Sequence, residues 1–180
     1  PSDRVVGHGE RGEDRPGILS SSEALHTQLG KVIAGVQMAQ VAVDMDTGII
    51  RVEKVLAIHD CGRVMNPLQA RSQVNGGVIQ GVSYALYEER RLDPLYGNMI
   101  NPNLESYRIA GMADVPEIQV EFTNTYSGRS STGAMGLGEP ATVPTAAAIR
   151  NAVYHATGAF LTSLPMTPRA VLSALKKVNP

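Results

Sequence analysis

Hydrophobic and polar residues alternate along three parts of the chain, and this pattern predicts β-strands. Residues 36–44 alternate, the sequence Asp46-Thr47-Gly48 supplies a turn, and residues 49–58 form a second run that is rich in β-branched side chains. Because successive side chains of a strand point to opposite faces, two such runs joined by a turn predict a hairpin. Residues 117–125 also alternate and predict a further strand.

In other parts of the chain hydrophobic residues recur with a longer period, and this pattern predicts helices. Apolar residues recur about every 3.6 positions over residues 68–90, directly after the start signal Asn66-Pro67. An alanine-rich helix is predicted over residues 145–158, where Gly158 suits the C-cap. A short third helix is predicted to begin with Thr167 as N-cap and Pro168 as its first residue.

These elements together predict an α+β domain, with a mixed or antiparallel sheet packed against two main helices, 68–90 and 145–158. The first 30 residues differ, because they are polar and rich in glycine, serine and charge, and show neither period. We expect residues 1–30 to be a polar arm that is poorly ordered or packs on a missing domain. Residues 31–180 are expected to form the folded domain.

The composition is that of a globular protein with no marked charge. Of the 180 residues 43% are hydrophobic and 18% charged, and the net charge of -1 gives no electrostatic reason to expect nucleic acid or a membrane surface as partner. No apolar run approaches the roughly 20 residues of a membrane span. The single Cys61 excludes an internal disulfide and fits a reducing compartment. Since the chain begins with Pro1, we expect a processed chain or a piece of a longer one.

A single carboxylate follows a cluster of glycines, and this stretch is the main candidate for chemistry. Gly133, Gly136 and Gly138 permit close backbone approach, and Glu139 and Pro140 come directly afterwards. Proline suits the first position of a helix, so the pattern predicts one acidic group on a tight turn at a helix N-terminus. The carboxylate there either acts on a ligand or only complements the helix dipole.

The predicted helix 68–90 carries glycines and glutamines of its own. Gly76, Gly77 and Gly81 weaken an exposed helix, so their presence predicts close approach to another backbone or to a ligand. Gln73 and Gln80 share a face across two turns. Their amides could bind a polar heterocycle or a phosphate, or be satisfied by a neighbouring loop.

His59, Asp60 and Cys61 follow one another, which raises the question of a metal site or a catalytic thiol. Consecutive residues of an extended chain point to opposite faces, so the three cannot easily converge on one ion. No CxxC or HxxxH pattern supports zinc. Structural roles are favoured, with Asp60 bonding the backbone of a turn and Cys61 as a small buried residue.

Three stretches resemble one known family in their order and spacing: DCGRVMNPLQARSQVNGGVIQG, GLGEPATVPTAAAIRNAVYHATG and LPMTPRAVLSALK. Together they resemble the C-terminal part of the molybdenum-binding (molybdopterin-binding) subunit of the xanthine dehydrogenase/aldehyde oxidase family of molybdenum hydroxylases. The resemblance covers residues 33–176, most of the chain. It implies that residues 31–180 are part of the second molybdopterin-binding domain of such an enzyme, as a C-terminal fragment or a split subunit.

The resemblance also implies roles for individual residues. The family's catalytic base falls on Glu139, and the glutamine that contacts the molybdopterin falls on Gln73. No protein ligand to the metal is implied, because the pterin dithiolene holds the molybdenum in this family. The other residues implied to lie at the cofactor are Gly76, Gly77, Gln80, Gly136, Leu137 and Gly138.

The implied reaction is hydroxylation of aldehydes or of N-heterocycles such as xanthine, with water as the oxygen source. The implied cofactor is molybdopterin with molybdenum, either as such or as its cytosine dinucleotide. Iron–sulfur clusters and FAD would lie on other domains or subunits, which become expected partners together with the remainder of the molybdenum-binding subunit and a small-molecule substrate. The isolated chain is expected to be inactive, and the location to be cytoplasmic, or periplasmic if the assembled complex is exported.

A non-catalytic interpretation stays open from the sequence alone. In it the chain is a structural or assembly module derived from this family, and Glu139 only caps a helix. The catalytic interpretation places Glu139 and Gln73 on one surface, whereas the structural one leaves them apart or uses them in local hydrogen bonds.

Overall fold

A three-stranded sheet forms the centre of the computed structural model, which describes residues 34–124 and 132–178. The strands, in their order across the sheet, are β1 (Ala34–Val43), β2 (Ile50–Asp60) and β3 (Glu117–Thr123). β2 pairs antiparallel with β1 and parallel with β3, so the sheet is mixed. The predicted arm, residues 1–30, lies outside the described residues, as does residue 125 at the end of the third predicted strand.

The predicted hairpin of β1 and β2 is confirmed, and the side chain of Asp44 shapes its turn. Asp44 Oδ1 accepts hydrogen bonds from the backbone amides of Asp46 at 2.9 Å and Thr47 at 3.0 Å, and Gly48 follows with a φ of 73°. The amide of Thr47, and then that of Asp46, lowers the pKa of the Asp44 carboxyl group, because both stabilise its charged form. The Asp44 carboxylate therefore serves the turn.

Three helices accompany the sheet: α1 (Pro67–Leu86), α2 (Thr145–Thr157) and α3 (Pro168–Val178). The predicted start signals are confirmed, since Asn66 Oδ1 accepts from the amide of Gln69 at 3.1 Å and Thr167 Oγ1 from that of Ala170 at 3.3 Å. Gly158, with a φ of 72°, ends α2 as predicted. Within the described ranges, none of the helices combines the length and hydropathy that crossing a membrane requires.

The predicted end of the first helix at Arg90 is wrong, because α1 stops at Leu86. The buried side chain of Asn101 accepts a hydrogen bond from the amide of Arg91 at 3.0 Å and donates one to the carbonyl of Glu89 at 2.7 Å. A residue from a later loop thus satisfies backbone groups that a further helical turn would have used.

The hydrophobic core lies between the helices and one face of the sheet. α1 packs against β2 and β3, and α2 packs against β1. Burying one aliphatic side chain of this kind contributes roughly 1.5–3 kcal/mol. The mixed sheet and the two main helices packed against it confirm the predicted α+β class. The fully buried core side chains are Val55 and Ala57 of β2, Val74, Val78 and Ala85 of α1, Ile149 and Val153 of α2, and Val171 of α3.

Candidate functional site

The segment that follows β2 holds the glycine-rich loop in place. The amide of Arg63 donates to the carbonyl of Gly133 at 2.8 Å, and the amide of Met135 donates to the carbonyl of Cys61 at 3.0 Å. The loop is thereby attached to the end of the central strand, which is among the best-packed parts of the molecule.

Asp60 and Cys61 have the structural roles that the sequence favoured. Asp60 Oδ1 accepts a hydrogen bond at 3.0 Å from the amide of Gly62, which has a φ of 64°. Cys61 is buried, and its burial raises the pKa of its thiol, which keeps the thiol protonated and weakly nucleophilic. In the part of the chain that the structure describes, no group of three His, Cys, Asp or Glu side chains could hold a metal ion.

The sequence predicted Glu139 at the start of a helix, but the structure places it on a separate turn. Glu139–Ala141 form one turn of 3-10 helix, closed by a 2.9 Å hydrogen bond from the amide of Thr142 to the carbonyl of Glu139. α2 begins only at Thr145, because Pro144 disfavours helical geometry at the residue before it and has no amide to donate. Among the described residues no side chain caps α2, so Glu139 does not cap this helix.

The carboxylate of Glu139 is exposed. Among the described residues, no hydrogen-bond donor or cation contacts this carboxylate. The backbone amides of residues 136–139 likewise donate to no acceptor in residues 34–124 or 132–178. Unpaired amides beside an unpaired carboxylate form a surface that can bind a polar ligand.

Gln73 of α1 joins this loop. Its Nε2 donates to the carbonyl of Gly138 at 2.9 Å, so the helix directly contacts the residue before Glu139. Gln73 is exposed, and its Oε1 accepts no hydrogen bond from the residues described. The structure therefore brings together the two residues to which the resemblance gives the most specific roles.

Gly76, Gly136 and Gly138 border open space on the exposed surface. A methyl group added at any of them would meet no other part of the described chain within 4 Å. None of the three has a positive φ. Neither packing within the chain nor left-handed backbone explains these glycines, whereas a ligand lying against bare backbone would explain them.

Gly77, unlike Gly76, faces the protein interior. A β-carbon at Gly77 would lie 2.7 Å from the β-carbon of Ala141, and one at Gly81 would collide with the side chain of Thr145. These two glycines let α1 approach the turn of Glu139 and the start of α2. Only Gly76 of the adjacent pair is open to a cofactor.

Gln80 and Leu137 are partly committed to contacts within the chain. Gln80 lies on the exposed face of α1, where its amide nitrogen donates to Tyr84 Oη and its Oε1 accepts from Thr142 Oγ1 at 3.5 Å. Leu137 is half-buried and packs against the core, so its side chain anchors the glycine loop.

Gln37 of β1 is a residue of this region that the sequence analysis missed. It is buried, its Nε2 donates to the carbonyl of Ala141 at 2.7 Å, and its Oε1 accepts from Thr145 Oγ1 at 2.6 Å. One signal could have revealed it, because Gln37 occupies an inward-facing position of an alternating strand, where an apolar side chain is expected.

The fold is that of a cofactor-binding domain. The chain belongs to the molybdopterin cofactor-binding domain family, whose model matches residues 19–116. It is 38% identical over 162 residues to the xanthine dehydrogenase molybdenum-binding subunit of Escherichia coli O157:H7, covering 90% of this chain. It is also 38% identical over 140 residues, 77% of the chain, to the aldehyde oxidoreductase molybdenum-binding subunit of Escherichia coli (strain K12).

Solved structures agree with this assignment. Aldehyde oxidoreductase from Desulfovibrio gigas matches with a TM-score of 0.73 and 32% identity, over 80% of this chain and 15% of its own. Quinoline 2-oxidoreductase from Pseudomonas putida 86 matches with a TM-score of 0.71 and 29% identity, over 76% of this chain and 18% of its own. The resemblance to the molybdenum hydroxylases is therefore confirmed. The chain spans only 21% and 19% of the lengths of the two Escherichia coli relatives.

Proposed function

We propose that this chain supplies the catalytic base, Glu139, and part of the molybdopterin-binding surface of a molybdenum hydroxylase that oxidises aldehydes or N-heterocycles. The observation that carries the proposal is the hydrogen bond from Gln73 to the carbonyl of Gly138, which joins the glutamine helix to the loop of the carboxylate. Relatives named for xanthine, aldehyde and quinoline oxidation support this substrate class.

The residues present fit a molybdopterin. The open positions at Gly76, Gly136 and Gly138 allow a flat ring system to lie against backbone that no side chain covers. Gln73 keeps Oε1 available as an acceptor for ring N–H groups, and the unpaired amides of residues 136–139 are available to oxygen atoms of the ligand. These groups, with Gln80 two turns further along α1 than Gln73, would hold the cofactor.

When bound, the molybdenum cofactor supplies the two-electron oxidation, for which water is the oxygen source. Glu139 supplies a carboxylate that accepts a proton during hydroxylation. The backbone on both sides of this residue is held, by Gln73 at Gly138 and by the amide of Thr142 at the Glu139 carbonyl. Because no described residue engages the carboxylate, it is available to accept the proton without first breaking an internal hydrogen bond.

The complete site would be assembled from several parts. We propose that the remainder of the molybdenum-binding subunit closes the cofactor surface and contributes most substrate contacts, and that iron–sulfur clusters and FAD lie on other domains or subunits. The small share of the relatives' length that this chain spans supports such an arrangement. In this arrangement the isolated chain is inactive, the cofactor is molybdopterin or its cytosine dinucleotide, and the complex works in the cytoplasm, or in the periplasm if it is exported.

The test is the complete enzyme with Glu139→Gln, assayed by dye-linked oxidation of aldehydes and heterocycles, with molybdenum content measured in the same samples. The amide has nearly the shape of the carboxylate but cannot accept the proton, so turnover should fall by about 100-fold to 10,000-fold with molybdenum retained. The matched control is Glu121→Gln, at an exposed position of β3. Near-normal turnover of the Glu139 variant with full molybdenum would refute the assignment of the base.

A further inference from the structure

We propose that Gln37 is a positioning residue that sets the place of Glu139 through the Glu139–Ala141 turn. The inference rests on the proposed function, since it takes Glu139 as the base. Gln37 belongs to β1, and it is separated by 104 residues from the turn that it contacts.

Both ends of the buried Gln37 amide are used. The nitrogen donates to the carbonyl of Ala141 at 2.7 Å, and the oxygen accepts from the Thr145 hydroxyl at 2.6 Å. Ala141 and Thr145 are themselves fully buried, so no solvent is present to replace either bond. One side chain of the sheet therefore ties the turn of Glu139 to the first residue of α2.

Two glutamines bracket the carboxylate residue. Gln73 of α1 holds the carbonyl of Gly138 on one side, and Gln37 of β1 holds the carbonyl of Ala141 on the other. The turn has only one hydrogen bond of its own, from the amide of Thr142, and single 3-10 turns are weakly held. The position of Glu139 thus depends on bonds from elements outside the turn, and Gln37 makes the buried one.

The variant Gln37→Met keeps the length of the side chain and removes both hydrogen bonds. The Ala141 carbonyl then keeps only the longer 3.5 Å contact from the Thr145 hydroxyl, and the turn should shift. We expect kcat of the complete enzyme to fall roughly 10-fold to 100-fold, because small misplacements of a reacting group have effects of this size. KM should change less than about 3-fold, and molybdenum should be retained, since Gln37 does not touch the proposed cofactor surface.

The same strand offers a matched control. Gln40→Met also removes a glutamine hydrogen bond, in this case the exposed 2.8 Å bond to Glu53 Oε2, and should leave kcat unchanged. Hydrogen exchange gives a readout that does not depend on activity. The amide of Thr142 closes the turn, so peptides covering residues 136–146 should exchange at least about 10-fold faster in Gln37→Met than in Gln40→Met.

A second pair of variants tests the proposal if Gln37→Met cannot be obtained as a folded, molybdenum-containing enzyme. Thr145→Val replaces the hydroxyl that donates to Gln37 with a methyl group. Like Gln37→Met, it should lower kcat. Thr145→Ser keeps that hydroxyl and should restore kcat to near the wild-type value. Equal kcat for the valine and serine variants would overturn the proposal.

The decisive measurement repeats Gln37→Met in the Glu139→Gln background. If Gln37 acts only through Glu139, its substitution has no further effect once the carboxylate is absent. The kcat of the double variant should therefore equal that of Glu139→Gln alone. An equal further loss in both backgrounds would overturn the inference, as would a kcat for Gln37→Met equal to that of Gln40→Met. Failure of the proposed function can be distinguished from failure of this inference, because Glu139→Gln alone would then be active.

Discussion

Gly76 and Gly77 are adjacent in the sequence, yet the structure gives them opposite surroundings. A side chain at Gly76 would point into open space, and a side chain at Gly77 would run into Ala141. Successive residues of a helix point about 100° apart, so neighbours readily lie on different faces. Gly76 is therefore a candidate cofactor contact, whereas Gly77 is a packing contact.

This difference leads to a prediction for two alanine variants. Gly76→Ala should stabilise the domain by up to about 1 kcal/mol, because alanine favours helix, while it lowers molybdenum content by crowding the cofactor. Gly77→Ala should destabilise the domain by roughly 1–3 kcal/mol through overpacking against the turn. Urea unfolding and metal analysis of the complete subunit would measure both. Equal stabilities, or full molybdenum in Gly76→Ala, would contradict this division of roles.

At the scale of elements, α1 connects the core to the candidate site. Val74 and Val78 are fully buried on one side, Gly77 packs against the Glu139 turn on another, and Gln73 lies exposed on a third. The register of the helix therefore decides whether Gln73 reaches the glycine loop. Asn66 determines where the helix begins, because its side chain caps the first turn.

Loss of this cap should weaken α1 and the contact that it carries. Asn66→Ala removes the acceptor for the amide of Gln69 and should lower the free energy of unfolding by about 1 kcal/mol. Asn66→Asp keeps an acceptor at the same position and should retain the stability of the wild type. Denaturant unfolding of the two variants side by side would measure the difference, and indistinguishable midpoints would show that the cap contributes nothing.

For the molecule as a whole, His59 links stability to pH. This residue of β2 is buried between Gly35 of β1 and Phe122 of β3, and both of its ring nitrogens lack hydrogen-bond partners in the described parts of the chain. Burial lowers the pKa of the imidazole, because the charged ring would lose its hydration. The unfolded chain therefore binds this proton more readily than the folded domain does.

The direction of the pH effect follows from this lowered pKa. The contribution of His59 to stability is fully present above the unfolded pKa of 6.5, and it is lost as the pH falls below 6.5 towards the folded value. We expect His59→Leu to reduce the loss of stability between neutral and mildly acidic pH, while the exposed His155→Leu should not. Urea unfolding at several pH values would test this, and identical pH profiles for the wild type and His59→Leu would contradict it.

Local sequence patterns were enough to predict most of the elements and the family. Alternation predicted the three strands, and cap residues such as Asn66, Thr167 and Gly158 marked helix ends correctly, because these signals act over a few neighbouring residues. Glu139 and Gln73 were identifiable as candidates because their motifs are short and contiguous. These features need no knowledge of what packs against them.

The arrangement of the candidate site depends on tertiary contacts. The early end of α1 depends on Asn101, and the separate turn of Glu139 is held through Ala141 by Gln37. These contacts join residues far apart in the chain, and a local pattern carries no information about which distant side chain will satisfy a buried carbonyl. Whether a glycine faces a ligand or another helix is likewise a property of the packed molecule, as Gly77 shows.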